Sequence, residues 1–245
     1  MLLWLCLAGC ERKEPENDTG RTSFVWLTVG ESCGEAEADT ETEQRMREYG
    51  LVDIREMDST VFVYLVYARA NNFIGKVLYP DIRKAFMLPE TAKCLTDAHR
   101  RLKVLRPELR LLVYDAARPM HVQEEMWKCV RGTDKRMYVS NPANGGGLHN
   151  YGAAVDVTLA DADGMPLPMG SPFDYFGEEA RPDREEELVK QGKLILPHLH
   201  NRRLLRRVMT DAGFKVLSGE WWHFNLFSRE EAKKNLRKIE IRNKE

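Results

Sequence analysis

Two short stretches, far apart in the chain, constrain its fold more than anything else in it. They are Gly147-Leu148-His149-Asn150-Tyr151-Gly152-Ala153-Ala154-Val155-Asp156 and Glu220-Trp221-Trp222-His223. Between them they offer two imidazoles and a carboxylate for one ion, with a spare carboxylate beside the last ligand. Three protein ligands, an open position and a nearby base are the parts of metal-dependent hydrolysis. A fold that uses them must bring both stretches to one place. The spacings restrict how this is done. His149 and Asp156 are separated by an odd offset, which on one regular strand would turn them to opposite faces. His149 is therefore expected in a loop ahead of a strand, with Asp156 pointing inward from the strand's start and Gly152 making the turn. Glu220 and His223 are also oddly spaced, so Glu220 is expected in the turn before its own strand. There it could take the proton of a water that the metal activates. Read singly, each residue has a plainer role: His149 capping a loop, Asp156 in a structural hydrogen bond, Glu220 on a surface strand. Trp221 and Trp222 read as packing residues that keep such a site dry and strengthen its electrostatics.

Around these stretches the pattern is mixed. Phe62 to Tyr67 is β-branched and aromatic, a strand candidate. Pro89 to Leu105 reads as a helix with one apolar face, built from Cys94, Leu95, Ala98, Leu102 and Leu105. Leu109 to Tyr114 reads as a buried strand and Pro119 to Val130 as a helix with proline in its first turn. Ala153 to Leu159, Phe214 to Leu217 and Trp221 to Phe227 read as strands, and Arg202 to Ala212 as a basic amphipathic helix capped by Gly213. Arg229 to the end is expected to be a charged surface helix. Strands and helices do not alternate regularly. That favours an α+β domain with a central, mainly antiparallel sheet flanked by helices and the metal site at the sheet. A third patch, Tyr114-Asp115-Ala116-Ala117-Arg118-Pro119, lies where a strand enters a helix. Arg118 there could hold a developing oxyanion or simply pair with Asp115. Of the other histidines, His99 is expected partly exposed at a helix edge. His121 is expected on a helix surface, and His198 and His200 in a mobile loop over the pocket.

The ends and the composition set the rest. The chain has 245 residues, 43% of them hydrophobic, and a formal net charge of -1, so a sizeable core is feasible and nothing suggests a nucleic-acid partner. No apolar run approaches the ~20 residues of a spanning helix. Residues 1–10 are a short apolar run ending in Leu7-Ala8-Gly9-Cys10. This resembles a bacterial lipoprotein signal, although no Lys or Arg precedes the run. Cleavage before Cys10 would make it the lipidated first residue and give membrane attachment at the cell envelope; with the signal unused, the chain would be cytoplasmic. Residues 11–45, rich in Glu, Asp, Thr and Gly, read as an acidic flexible tether, and 46–245 as the catalytic domain. Cys33, Cys94 and Cys129 lack metal-type spacing, and the last two read as buried apolar residues on helices.

Taken jointly, the motifs resemble those of the bacterial D-alanyl-D-alanine dipeptidases of the vancomycin-resistance type, zinc enzymes related to D,D-carboxypeptidases. The likeness runs from about Tyr64 to Phe227. The metal motif Ser-x-His-x-x-Gly-x-Ala-x-Asp matches except at its first position, Glu-Trp-Trp-His matches in full, and Asp-x-x-Arg-Pro and Asn-Phe-x-Gly-Lys are intact. The resemblance implies that His149, Asp156 and His223 hold one Zn2+ per chain. By the same likeness Glu220 is the general base and later proton donor, and Arg118 steadies the tetrahedral intermediate. Asp174 would receive the dipeptide's free ammonium, and Tyr67 would line the pocket. The implied activity is hydrolysis of D-Ala-D-Ala to two D-alanines, a small-dipeptide reaction in cell-wall turnover. The alternatives are a D,D- or L,D-carboxypeptidase acting on peptidoglycan stems, which must leave the amino end open, and a non-catalytic cell-wall-binding lipoprotein, which need not keep Glu220. The likeness breaks at Gly147, where the family has a serine that helps bind the substrate's amino end. Losing that hydroxyl removes one hydrogen bond, worth about 1 kcal/mol.

Overall fold

A computed structural model describes residues 38–241. The leader, Cys10 and Cys33 lie outside the described residues. The chain runs through α1 (Glu41–Glu48), β1 (Val52–Asp53), α2 (Ile54–Met57), β2 (Phe62–Val63), β3 (Phe86–Met87), α3 (Pro89–Leu105), β4 (Arg110–Asp115) and α4 (Met120–Val130). It continues through β5 (Ala154–Ala160), α5 (Glu185–Lys190), α6 (Leu196–Thr210), β6 (Lys215–Leu217), β7 (Glu220–Asn225) and α7 (Arg229–Asn235). The domain is α+β. Its central sheet has the order β2-β4-β5-β7-β6, antiparallel except where β2 runs parallel to β4.

β5 reads Ala-Val-Asp-Val-Thr-Leu-Ala and is buried along its whole length, as the middle strand of a covered sheet must be. α3 begins with proline in its first turn and buries Leu95, Ala98, His99 and Leu102. It packs against β4 and against α6, which also contacts β5 and β7. The core of the sheet is therefore sealed on the side of these two helices.

Several expectations are corrected. The strand foreseen over Phe62–Tyr67 stops at Val63, and Val66–Ala68 forms a 3-10 turn instead. Folded structure reaches into the stretch assigned to the tether. Thr40 and Glu43 cap α1 reciprocally, and the Glu43 carboxylate accepts the backbone N–H groups of Arg83 and Lys84. An acidic composition hid this because Glu43 is buried by serving backbone donors. The C-terminal helix ends at Asn235, and the following segment is bound to the domain: Ile239 and Ile241 are buried. Ile239 N–H donates to Asn150 O, and Met120 N–H donates to Ile239 O. His198 and His200 lie on α6 rather than in a loop, because Pro197 starts that helix early. His99 is fully buried, accepting from Leu111 N–H at 3.2 Å. Cys94 packs only partly buried against the core and Cys129 is exposed, so neither is the buried residue expected.

Candidate metal centre

β5 and β7 are neighbours, and their register sets Asp156 directly opposite His223. Cross-strand partners share a face of the sheet. His149 reaches the same place from a 3-10 turn, Leu148–Tyr151, that closes on Gly152. Gly152 has a φ of +66°, and a Cβ there would stand 2.8 Å from Leu51 Cδ2 and 3.1 Å from the Leu88 nitrogen. The turn needs glycine for both conformation and space. It is clipped to the Asp115–Arg118 segment by Arg118 N–H donating to His149 O and Asn150 Nδ2 donating to Arg118 O. Glu220 is the first residue of β7, beside a register shift against β6, so it stands at the strand's edge rather than in the preceding turn.

The hydrogen bonds around the two imidazoles settle which nitrogens face inward. His149 Nδ1 lies 2.7 Å from the Ala116 carbonyl. A carbonyl only accepts, so Nδ1 carries the hydrogen and Nε2 the lone pair. His223 Nε2 lies 2.9 Å from Asn225 Oδ1, which leaves the lone pair on Nδ1. These two nitrogens are 3.2 Å apart and lie 3.3 and 2.9 Å from the carboxylate oxygens of Asp156. One ligand atom from each of the three residues falls within 4.8 Å of the others. Two lone pairs and a carboxylate turned to one point can hold a cation between them. Burial works against charge on His223, yet its hydrogen bond to Asp156 pushes it up to about 9, so a metal ion here competes with a proton on Nδ1. Burial would raise Asp156, but the two histidines hold it below the usual carboxylate range. Two nitrogens and one oxygen, each imidazole fixed from behind, fit a divalent metal such as zinc.

All seven residues singled out from the sequence line one cavity of about 390 Å³. Glu220 stands beside the centre with its carboxyl raised by burial and by Asp156, against the pull of His223. Arg118 satisfies both of its readings. Its Nε and Nη2 donate to Asp115 Oδ2 at 3.0 and 2.5 Å and its Nη1 to Gln123 Oε1 at 2.9 Å, yet it faces the cavity. Asp115 is fully buried and also accepts the Tyr79 hydroxyl at 2.8 Å. Asp174 accepts the Tyr67 hydroxyl at 2.9 and 3.1 Å. Its φ of +58° is the single positive value outside glycine among the described residues. Strained backbone of this kind persists where surrounding structure holds it. The holder is Arg202, fully buried, which donates to the carbonyls of Met169 at 2.5 Å and Glu179 at 2.6 Å on either side of the Asp174 loop. Burial first, and Asp156 second, raise the Asp174 carboxyl well above its ordinary value. Trp222 lines the cavity, and Trp221 donates to Ser171 Oγ at 3.0 Å on the same loop.

Three contributors escaped the sequence reading. Asn225 stands two residues past His223, on the same strand face, so its position was available as a signal. Gln123 sits one helical turn into α4, and Arg202 on α6 carried no local hint. Of the remaining histidines, His121 bonds the Ile241 carbonyl at 2.6 Å, and none of the others lines the cavity.

With inward-facing ligand atoms, a base at the rim and a cavity open to substrate, the sheet presents what a metallopeptidase needs. Known proteins narrow the class. The peptidase M15 model described as D-ala-D-ala dipeptidase matches residues 47–239. The chain belongs to this family and is a metallopeptidase. It is 32% identical over 177 residues to the D-alanyl-D-alanine dipeptidase of Escherichia coli K12, a match spanning 72% of this chain and 84% of that one. It is 29% identical over 162 residues to the protein of that name from Synechocystis, covering 54% and 66%. A 37% identical match over 79 residues to the Enterococcus faecium protein of that name covers 32% of this chain and 36% of that one.

Proposed function

We propose that this chain is a zinc dipeptidase that hydrolyses D-Ala-D-Ala to two D-alanines in the turnover of cell-wall dipeptides. The observation that carries this reading is that Asp174 and the His149–Asp156–His223 centre line the same cavity. A half-buried carboxylate at that place rewards a free ammonium, which an acylated amino end lacks. The shared names of the relatives support the substrate. When bound, zinc supplies a Lewis acid that polarises the peptide carbonyl and makes water acidic enough to lose a proton near neutral pH.

The protein groups do the rest. Glu220 accepts the proton of the attacking water and returns it to the amine nitrogen as the carbon–nitrogen bond breaks. A carboxylate raised by burial suits both halves of that transfer near neutral pH. Three of Arg118's five N–H donors are spent on Asp115 and Gln123. The other two remain for the charge that develops on the carbonyl oxygen. Asp174, with the Tyr67 hydroxyl, takes the substrate ammonium. The rings of Tyr67, Phe173 and Trp222 pack in a chain beside Asp174, and such apolar walls strengthen that pair. We also take the Leu-Ala-Gly-Cys sequence as the support for lipid attachment through Cys10 at the cell envelope, where wall dipeptides would be scavenged or recycled.

A dipeptide panel on the purified, zinc-loaded protein tests the reading. D-Ala-D-Ala should be cleaved rapidly, and L-Ala-L-Ala and N-acetyl-D-Ala-D-Ala poorly. Equal rates on the free and acetylated forms would refute a closed amino end.

A further inference from the structure

Gly147, where the chain departs from the family's metal motif, faces a second residue on the cavity wall. A Cβ at Gly147 would stand 3.1 Å from Ser140 Oγ and 3.4 Å from Ser140 Cβ. The first distance is tighter than most Cβ contacts, so a side chain at 147 would press on the Ser140 hydroxyl. Both residues line the cavity that holds the metal centre, Glu220 and Asp174. Ser140 is half-buried, and its hydroxyl has no hydrogen-bond partner among the described residues. Its backbone is nevertheless fixed. The Ser140 carbonyl accepts Gln123 Nε2 at 2.8 Å, and the same Gln123 amide accepts Arg118 Nη1 at 2.9 Å. One glutamine thus ties the position of Ser140 to that of Arg118. Asn141 caps the short turn that follows, accepting Ala143 N–H at 2.9 Å. An unengaged hydroxyl on a clamped loop, facing a cavity in space left by a glycine, is a preformed hydrogen-bonding position.

We propose that Ser140 is a substrate-binding residue, contributing to the dipeptide the neutral hydrogen bond that position 147 cannot make. This rests on the dipeptidase reading, and it goes beyond it by assigning the hydroxyl to a different position of the same connection. It follows that residues 140 and 147 compete: a hydroxyl at 147 would press on the one at 140. A serine at both positions crowds, and a serine at neither leaves the substrate one bond short.

The test is a double-mutant cycle with wild type, S140A, G147S and S140A/G147S, read as KM and kcat on D-Ala-D-Ala. S140A should raise KM by about two- to ten-fold, the range of one neutral hydrogen bond, with a smaller change in kcat. G147S alone should also raise KM, through crowding. S140A/G147S should return KM to within about twofold of wild type, a sign reversal that loss of packing does not produce. S140A is a one-atom deletion on a half-buried loop, so its result stands even if G147S folds poorly. An unchanged KM in S140A, or a double variant no better than S140A, overturns the inference and leaves the dipeptidase reading intact. A wild type that cleaves no dipeptide overturns both.

Discussion

The two sides of the cavity are built differently. The reacting side stands on the sheet: Asp156 and His223 are register partners on β5 and β7, and Glu220 begins the latter. The selecting side stands on loops: Tyr67 in a 3-10 turn, Asp174 at a positive φ, Ser140 and Gly147 in the glycine-rich connection before β5. A sheet fixes distances through its backbone ladder, which suits ligands that must agree to within fractions of an ångström. Loops can change their side chains without disturbing that ladder. Rate and selectivity should therefore be separable in this enzyme, and substitutions on the two sides should leave different kinetic signatures.

The largest separation is expected at Glu220. Replacing it with alanine should lower kcat by about 10²–10⁴ with metal content unchanged, because the base is lost while all three ligands remain. Metal analysis beside steady-state kinetics reads both, and loss of metal together with activity would move Glu220 into the ligand set. On the selecting side, D174A should cost about 10²–10³ in kcat/KM for free D-Ala-D-Ala, since it leaves the substrate ammonium without its carboxylate partner. The residual rate on N-acetyl-D-Ala-D-Ala should barely move. Equal loss on both substrates would erase the distinction between the two sides.

A smaller effect belongs to the support behind the ligands. N225A removes the acceptor that holds the His223 tautomer, and competition with a chelator should show metal affinity falling by about 10–100-fold. Selectivity among dipeptides should stay as in wild type. The smallest effect lies outside both sides. Burial lowers His99 from 6.5 to about 4, so the unfolded chain takes up its proton before the folded one does. The stability it confers is complete above about pH 6.5 and is lost as pH falls towards 4. Denaturant unfolding across that window should show the decline, and H99Q should flatten it.

The same division governs what the sequence disclosed. The helix over Pro89–Leu105 was legible to the residue because a periodic apolar face and an initial proline coincide. His149 was legible because its odd spacing from Asp156 excludes a single strand, and it does sit in a turn closed by Gly152, whereas the same argument misplaced Glu220, which shares β7 with His223. The supports of the site were less legible. The Ala116 carbonyl has no side chain to announce it, and Arg202 acts from α6 on a loop near Met169. Glu43, Ile239 and Ile241 misled for a related reason: residues that look solvated or terminal gain their burial from partners distant in sequence. Long-range backbone pairing leaves no local period to read.

The central claim is that His149, Asp156 and His223 hold one metal ion on which hydrolysis depends. Metal-stripped protein, retitrated with zinc while D-alanine release from D-Ala-D-Ala is followed, tests it most directly. Activity should be absent at the start, rise in proportion to added zinc and level off at one equivalent per chain, and H223A should show no such rise. Full activity in the stripped protein, or an undiminished titration in H223A, would contradict the account.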